Sequence, residues 1–460
     1  MGSAPSLEPS PVDHLRERAR SFACYPVRDK EKRMKRTQFR WFVVFLLFAI
    51  TVVNYVDRAA ISYAIPAIQR DLGLSADLVG TVLGAFGLGY ALTTLIGGFA
   101  VDRYGARAIL TIAAVLWSLS IGMTGLASGF VILFAARVLL GVSEGPNFPA
   151  LTGAISHWLS PHERATALGN ALLAVPLALA VGGPLVTWLL GKLDWRLTFL
   201  VLFLISAAWV PLWYLFFRDD PADSRFVNEA ELAHIRKSDP TVSATPHAAL
   251  KSWPGLAELR LLLTNRTLLA NYWAFFVFGY FLFFFMTWLP LYLSQKYGMN
   301  IQRVGLFTVA PWGTAAVVLW LMGFWSDRLL RTTGRLRVAR SYLIAGSQLV
   351  AALAVIPVAL TDSLVVALSG ITVAVAASMG ANAAYYAVNV DIVPQRAATA
   401  LGIMDFGFAL AGFLAPTITG LVLGLRGSFT DSFLVMAGLA LSSVLVVLLF
   451  HHPDRDRQMS

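Results

Sequence analysis

Gly98-Phe99-Ala100-Val101-Asp102-Arg103-Tyr104-Gly105-Ala106-Arg107 closes one apolar stretch, and its opening pattern returns as Gly323-Phe324-Trp325-Ser326-Asp327-Arg328 at the end of another, 225 positions later. A Gly-x-x-x-Asp-Arg punctuation copied at that interval divides the chain into two similar halves. A membrane-crossing helix needs about 20 mostly apolar residues, and each half offers six such stretches. They are 41–68, 78–101, 107–127, 130–156, 165–190 and 196–217, then 268–294, 304–325, 340–360, 364–390, 398–424 and 430–450. The pattern predicts an all-α membrane protein of twelve transmembrane helices, built as two six-helix pseudo-repeats around a central path. The organisation read from it is a basic tail (1–40), a first half (41–217), a linker (218–266), a second half (267–450) and a short tail (451–460).

Composition agrees. Hydrophobic residues make up 57% of the chain and charged residues 13%, with mean hydropathy +0.67. A soluble domain carries about 25% charged residues, so lipid is the expected solvent. The single cysteine, Cys24, excludes an internal disulfide and a Cys-rich metal site. No His-Glu-x-x-His pattern and no Gly-x-x-x-x-Gly-Lys-Ser/Thr phosphate loop occurs. His157, His162, His451 and His452 lie near span ends with no carboxylate at ligand spacing. Neither an enzyme nor a cofactor is therefore expected.

The net charge of +10 would suggest nucleic acid in a soluble protein, but in a membrane protein it reports basic cytoplasmic loops. The termini and even-numbered loops hold 28 of the 36 Lys and Arg residues and the odd-numbered loops six, which places both termini in the cytoplasm and the protein in the cell membrane. The N-terminal tail is too long and too acidic for a cleaved signal, so the first span is read as a retained anchor. The central stretch, rich in Asp, Glu, Pro and Ser, reads as a plain linker rather than a regulatory domain. A monomer is expected, with no nucleic-acid partner.

The charges inside the spans carry the functional reading. An ionised side chain at the bilayer centre costs at least about 2.5–3.5 kcal/mol, so such residues mark watery cavities and pair with one another. Span one contains Asn54-Tyr55-Val56-Asp57-Arg58, and span four contains Arg137-Val-Leu-Leu-Gly141-Val-Ser-Glu144-Gly145-Pro146-Asn147-Phe148-Pro149. Arg137 and Glu144 share one helix face, about 10.5 Å apart along the axis. Asp57 and Arg58, about 100° apart around their helix, must point to different partners. Two acids and two arginines suggest a switch, in which protonating Asp57 or Glu144 releases Arg58 or Arg137 for an anionic substrate. A fixed ion-pair network holding the helices together is the bland alternative. Asp102, Arg103 and Arg107, with Gly98 and Gly105 beside them, are read as a lock on the cytoplasmic face. Asp327 and Arg328 form the second copy, although Gly334, Arg335 and Arg337 depart from the tight Gly105-Ala106-Arg107 spacing.

With its two halves and this repeated motif, the chain resembles the major facilitator superfamily. Asn-Tyr-x-Asp-Arg in span one, Arg137, Glu144 and the run 141–149 are similar to its anion:cation symporter branch, over roughly residues 38–450. Members of that branch import galactonate, glucarate, hexuronates, phthalate and related acids, mostly with protons. The resemblance implies that Asp57 and Glu144 bind the coupled protons, that Arg58 binds the substrate carboxylate with Tyr55 beside it, and that Arg137 holds or frees the acids. Partners implied are a small organic anion, a sugar acid or aromatic acid, and protons, in a lipid bilayer. The aromatic run Tyr272 to Trp288 resembles the family's seventh span, with Tyr280 and Trp288 as candidates for the cavity and lipid-facing bulk as the alternative.

Two departures stand out. The span-five segment Ala171-Leu-Leu-Ala-Val-Pro-Leu-Ala-Leu is wholly apolar where sugar-acid members are polar. In span eleven the family's two asparagines are replaced by Asp405 and Ala409. Asp405 could accept a substrate hydroxyl or amine, bind a proton, or pair with a neighbour. Asn382, Tyr385 and Asn389 in span ten are substrate contacts or helix–helix hydrogen bonds. Two other readings are kept open. One is a proton antiporter exporting a drug or metabolite, prompted by Gly182-Gly183-Pro184; the other is a sensor or scaffold on a transporter fold.

Overall fold

The structure, a computed structural model, describes residues 2, 36–237, 256–393 and 396–457. Most of the basic tail, Cys24 and part of the linker fall outside these residues.

Among the described residues, twelve helices are long and apolar enough to cross a membrane. Span 1 is Phe39–Leu72, and spans 2 and 3 share the helical tract Ala76–Gly125, which breaks at Gly105. Span 4 is Phe130–Trp158, span 5 Thr166–Lys192 and span 6 Trp195–Phe216. In the second half, span 7 is Arg266–Tyr297, span 8 Ile301–Thr333 and span 9 Arg337–Leu360. Span 10 is Leu364–Ile392, span 11 Thr399–Arg426 and span 12 Thr430–Phe450. With lipid unable to satisfy backbone groups, the helix is the conformation open to these runs.

Turn chemistry sets their ends. Asp194, Asn265 and Asn300 cap spans 6, 7 and 8 by accepting from the backbone N–H of Leu197, Leu268 and Arg303 at 2.7, 2.9 and 2.9 Å. Spans 1 and 7 stop at Gly73 and Gly298, both left-handed at φ 63° and 62° and 225 positions apart. The repeat thus extends to the turns.

Each half is latched to itself at the face carrying the termini. Gly105 takes φ +83°, and a Cβ there would meet the Asp219 carboxylate, which accepts from Arg107 N–H at 3.0 Å. The Arg107 side chain reaches Tyr214 O at 2.7 Å. In the second half, Gly334 at φ +65° precedes a matching clasp. Asp454 accepts from Leu336 N–H at 2.6 Å and Arg337 N–H at 2.9 Å, while Arg337 donates to Leu448 O at 3.0 Å. The extra residue between glycine and arginine in the second copy leaves the clasp intact. The linker also does more than connect. Glu231, fully buried on its helix Glu229–Lys237, accepts from Phe39 N–H at 3.2 Å and Arg40 Nη1 at 2.8 Å, satisfying the start of span 1.

The halves meet most closely at the opposite face. Gly80 lies against Gly420, Gly84 against Thr417 and Gly87 against Phe413, while Gly183 and Gly305 abut across spans 5 and 8. A Cβ at any of these would strike the other half. Gly182 packs against Val56, so the Gly182-Gly183-Pro184 sequence serves close packing. Tyr63 OH donates to Thr308 Oγ1 at 3.1 Å across the same seam.

Candidate functional site

Spans 4 and 10, in corresponding places of the two halves, are each interrupted. Span 4 consists of Phe130–Glu144 and Asn147–Trp158, separated at Gly145-Pro146, and span 10 of Leu364–Gly380 and Asn382–Ile392, separated at Ala381. Interrupted helices of this kind mark binding sites in transporters. Glu144 is the last residue before the first break, and Asn382 the first after the second.

Glycine brings Glu144 to its partner. At Gly89 and Gly141 a Cβ would collide with the facing backbone, so spans 2 and 4 touch main chain to main chain. Span 1 lies alongside, and Arg58 donates through Nη2 and Nε to Glu144 Oε2 at 2.8 and 3.1 Å, with a further bond from Nη2 to Asn54 Oδ1 at 3.2 Å. The Arg58 and Glu144 side chains are 1% and 0% exposed. Arg58 Nη1, Glu144 Oε1, Asn54 Nδ2 and both amide atoms of Asn147 have no hydrogen-bond partner in the protein. A buried polar group left unpaired costs about 1–3 kcal/mol, so this network is under-satisfied as it stands.

Aromatic rings enclose the pair. The Arg58 guanidinium lies 4.4 Å from the ring centres of Tyr55 and Phe86 and 5.3 Å from Tyr90. Arg137 approaches the Phe86 ring at 5.5 Å, which leaves Phe86 in contact with both guanidiniums. Tyr55 and Tyr90 in turn line a cavity between the halves. The other walls come from Phe148 of span 4, Leu172 and Val175 of span 5, Phe275, Phe278 and Leu282 of span 7, Met379, Asn382 and Tyr386 of span 10, and Asp405 and Phe408 of span 11. The helical spacing i, i+3, i+7 within spans 7 and 10 shows one face of each turned to the cavity. Its volume is about 30 Å³, so an acid of several carbons enters only when the lining side chains move.

The sequence profile of the Major Facilitator Superfamily matches residues 47–388. The chain belongs to the Major Facilitator Superfamily. It is 32% identical to the hexuronate transporter of Bacillus subtilis (strain 168) over 415 residues, 89% of this chain and 94% of that protein. It is also 32% identical to the probable galactarate/D-glucarate transporter of the same organism, over 91% of this chain and 93% of the relative. A probable sulfoacetate transporter of Cupriavidus necator is 29% identical over 91% and 97%. The fold matches a bacterial homolog to the human lysosomal transporter Spinster, solved in an inward-facing and occupied conformation, at TM-score 0.67 and 19% identity over 92% of this chain and 96% of that one. The protein is a multi-pass membrane transporter of the superfamily and not an enzyme.

Several expected site residues sit differently from the sequence reading. Asp57 and Arg58 do point apart, but Asp57 Oδ2 accepts from Ser206 Oγ of span 6 at 2.5 Å, and no cation pairs with it among the described residues. Among the described residues, Glu144 is thus the acid of the two that is paired with an arginine. Arg137 shares a helix face with Glu144 yet makes no ion pair among the described residues, because Arg58 reaches the carboxylate first and Phe86 takes the Arg137 guanidinium. Tyr280 and Trp288 are buried away from the cavity: Tyr280 packs 6.5 Å from Phe276, and Trp288 Nε1 donates to Pro416 O at 3.2 Å. Around span 7, Tyr280 lies about 140–160° from Phe275, Phe278 and Leu282, and Trp288 about 80–140°. Asn389 donates to Tyr385 O at 2.9 Å and to Met404 Sδ at 3.3 Å, in an interhelical network that includes Asn271 and Gln348.

The motif at the termini-bearing face is also local. The named contacts of Arg107 stay in the first half, Asp327 pairs with Arg340 of span 9 at 3.3 Å, and Asp102, Arg103 and Arg328 are exposed. Gly98 has open space around it. Sequence reading passed over Phe86, Tyr90, Tyr386 and Phe408, and named Phe148 only within the run 141–149. For Phe86 and Tyr90 the available signal was an aromatic pair at i, i+4 in a span otherwise rich in glycine.

Proposed function

We propose that this chain is a secondary transporter of the cell membrane that moves a small organic anion together with protons, by alternating exposure of the central cavity. Both termini face the cytoplasm in this reading, and the chain acts as a monomer. The observation that carries it is the buried Arg58–Glu144 pair behind Tyr55 and Tyr90, with unpaired polar atoms on both members.

A buried guanidinium needs one anion, and leaving it without one is strongly unfavourable. Glu144 fills that role when ionised. Once Glu144 takes a proton, a substrate carboxylate replaces it, and the charge of the site is unchanged. Loss of the proton restores the pair and expels the substrate. Proton and anion are thereby obliged to occupy the site together, which is the requirement for symport. Asp57, buried against Ser206, is the second proton-binding position in this scheme. Arg137, without a carboxylate of its own, keeps the region attractive to anions. The halves, clasped away from the termini, present the cavity toward the cytoplasm and rock about the glycine seam to expose it outside. The names of the hexuronate and galactarate/D-glucarate relatives support a carboxylate as substrate.

Uptake into proteoliposomes of the purified protein, with the interior made alkaline, tests this. Accumulation of a carboxylic acid should follow the imposed pH difference. Glu144→Gln should retain exchange but lose accumulation, and Arg58→Ala should lose both. Flux indifferent to the pH difference overturns the coupling.

A further inference from the structure

The two sides of the central cavity are chemically unlike. On the first-half side, Tyr55 and Tyr90 cover a guanidinium. On the second-half side, Asp405 and Tyr386 line one wall, and Asn382, on the same wall, has an Oδ1 with no hydrogen-bond partner in the protein. Asp405 makes no ion pair among the described residues. The remaining walls, Phe148, Phe275, Phe278 and Phe408, supply no donors. The cavity therefore has a first-half wall backed by a cation and a second-half wall that offers acceptors.

From this we infer that Asp405 sets substrate specificity, selecting an acid with one carboxylate and a hydrogen-bond donor, hydroxyl or ammonium, at its far end. The inference rests on the anion-transport reading above and narrows its substrate class. The carboxylate goes to the Arg58 end. The far group then meets Asp405 and Asn382 Oδ1, both of which call for a donor. A second carboxylate in that place faces a like charge in a water-poor cleft, which one of the two must neutralise by taking up a proton. Rejection of the dicarboxylate is thus built in as repulsion, one of the two ways a site can discriminate between ligands. The aromatic rings flanking Asp405 also suit an ammonium group.

Matched ligands test it. On an aromatic frame these are 4-(hydroxymethyl)benzoate, 4-(aminomethyl)benzoate and terephthalate; on a sugar frame, gluconate, 6-amino-6-deoxygluconate and glucarate. Binding to the purified full chain is measured by calorimetry at one pH. On whichever frame binds, the donor-ended acids should bind at least about tenfold more tightly than the dicarboxylate, and the ammonium arm tells which donor is preferred. Asp405→Asn should bring the ratio toward one, and Asp405→Glu should keep it. Asn382→Asp, which adds charge at the same end, should widen it and serves if Asp405→Asn does not fold. A wild-type protein that binds the dicarboxylate equally well or better overturns the inference, as does a ratio unmoved by both Asp405→Asn and Asn382→Asp. If no acid of either frame binds while neutral or cationic compounds do, the anion reading itself fails and takes this inference with it.

Discussion

Around the clasp at the termini-bearing face, Arg107, Asp219 and Tyr214 in the first half do what Arg337, Asp454 and Leu448 do in the second, with hydrogen bonds of 2.7–3.0 Å and 2.6–3.0 Å. Move to the centre of each half and the likeness ends. The first half has a buried ion pair, Arg58 with Glu144, ringed by tyrosine and phenylalanine. The second, apart from Asp405 on the cavity wall, has an amide network: Gln348 Nε2 donates to Tyr385 OH at 2.9 Å, and Asn271 and Asn389 both donate to Tyr385 O. The duplicated chain has kept its symmetry where hydrogen bonds hold helices in place and lost it where charge can change hands. An amide network does not titrate in water's pH range, so it keeps its geometry as pH changes, whereas in the scheme proposed above one proton opens the carboxylate–guanidinium pair.

That contrast can be broken most severely at Arg58. Removing it leaves Glu144 buried without a cation, which costs about 3–5 kcal/mol. Gln348→Leu, which deletes neutral hydrogen bonds only, should cost about 1 kcal/mol. Denaturation of Arg58→Ala and Gln348→Leu in the same detergent compares them. Equal losses would mean that the ionic and amide centres are structurally equivalent.

The clasps provide a sharper, smaller comparison. Asp219→Ala and Asp454→Ala each free backbone N–H groups at a helix start, an effect of about 0.5–2 kcal/mol. Melting temperatures of the two variants should fall by similar amounts. A clear difference would show that the one-residue offset in the second copy has changed the clasp after all.

A comparison of a different kind appears with pH. His451, just past span 12, is fully buried with its Nδ1 2.6 Å from Ser341 Oγ, and burial pushes its imidazole down to about 3 from the ordinary 6.5. Between those values the unfolded chain binds a proton that the folded one does not, so folding stability is complete above pH 6.5 and declines as the pH falls toward 3. The corresponding corner of the first half holds Phe216 and Phe217. His451→Gln should flatten the acid side of the stability profile, measured by denaturation across pH 4–7; an unchanged slope would place the sensitivity elsewhere.

The spans and their twofold repeat were legible in the sequence because run length and Gly-x-x-x-Asp-Arg punctuation are local signals. Asp57, Arg58, Arg137 and Glu144 stood out because charge within an apolar run is conspicuous. Their pairing was not legible. Arg137 and Glu144 share a face, yet Glu144 pairs with Arg58 of span 1, a contact between helices far apart in sequence that no local pattern shows. Span 7 hid its cavity face for a related reason: with aromatic residues all around the helix, periodicity cannot separate Phe275 and Phe278 from Tyr280 and Trp288. Asp219 and Asp454 were unreadable because a lone aspartate after a span looks like any loop residue until the helix start it caps is folded beside it.

The seam at Gly80, Gly84, Gly87, Gly183, Gly305 and Gly420 carries a consequence for speed. Apart from the Tyr63–Thr308 hydroxyl pair, the named contacts there are main chain and small atoms in van der Waals touch. Such contacts are individually worth about 0.1–0.2 kcal/mol and have no direction. In the transport scheme proposed above, two smooth surfaces of this kind come apart a little at a time and rejoin without hunting for a rotamer, like a bearing rather than a bolt.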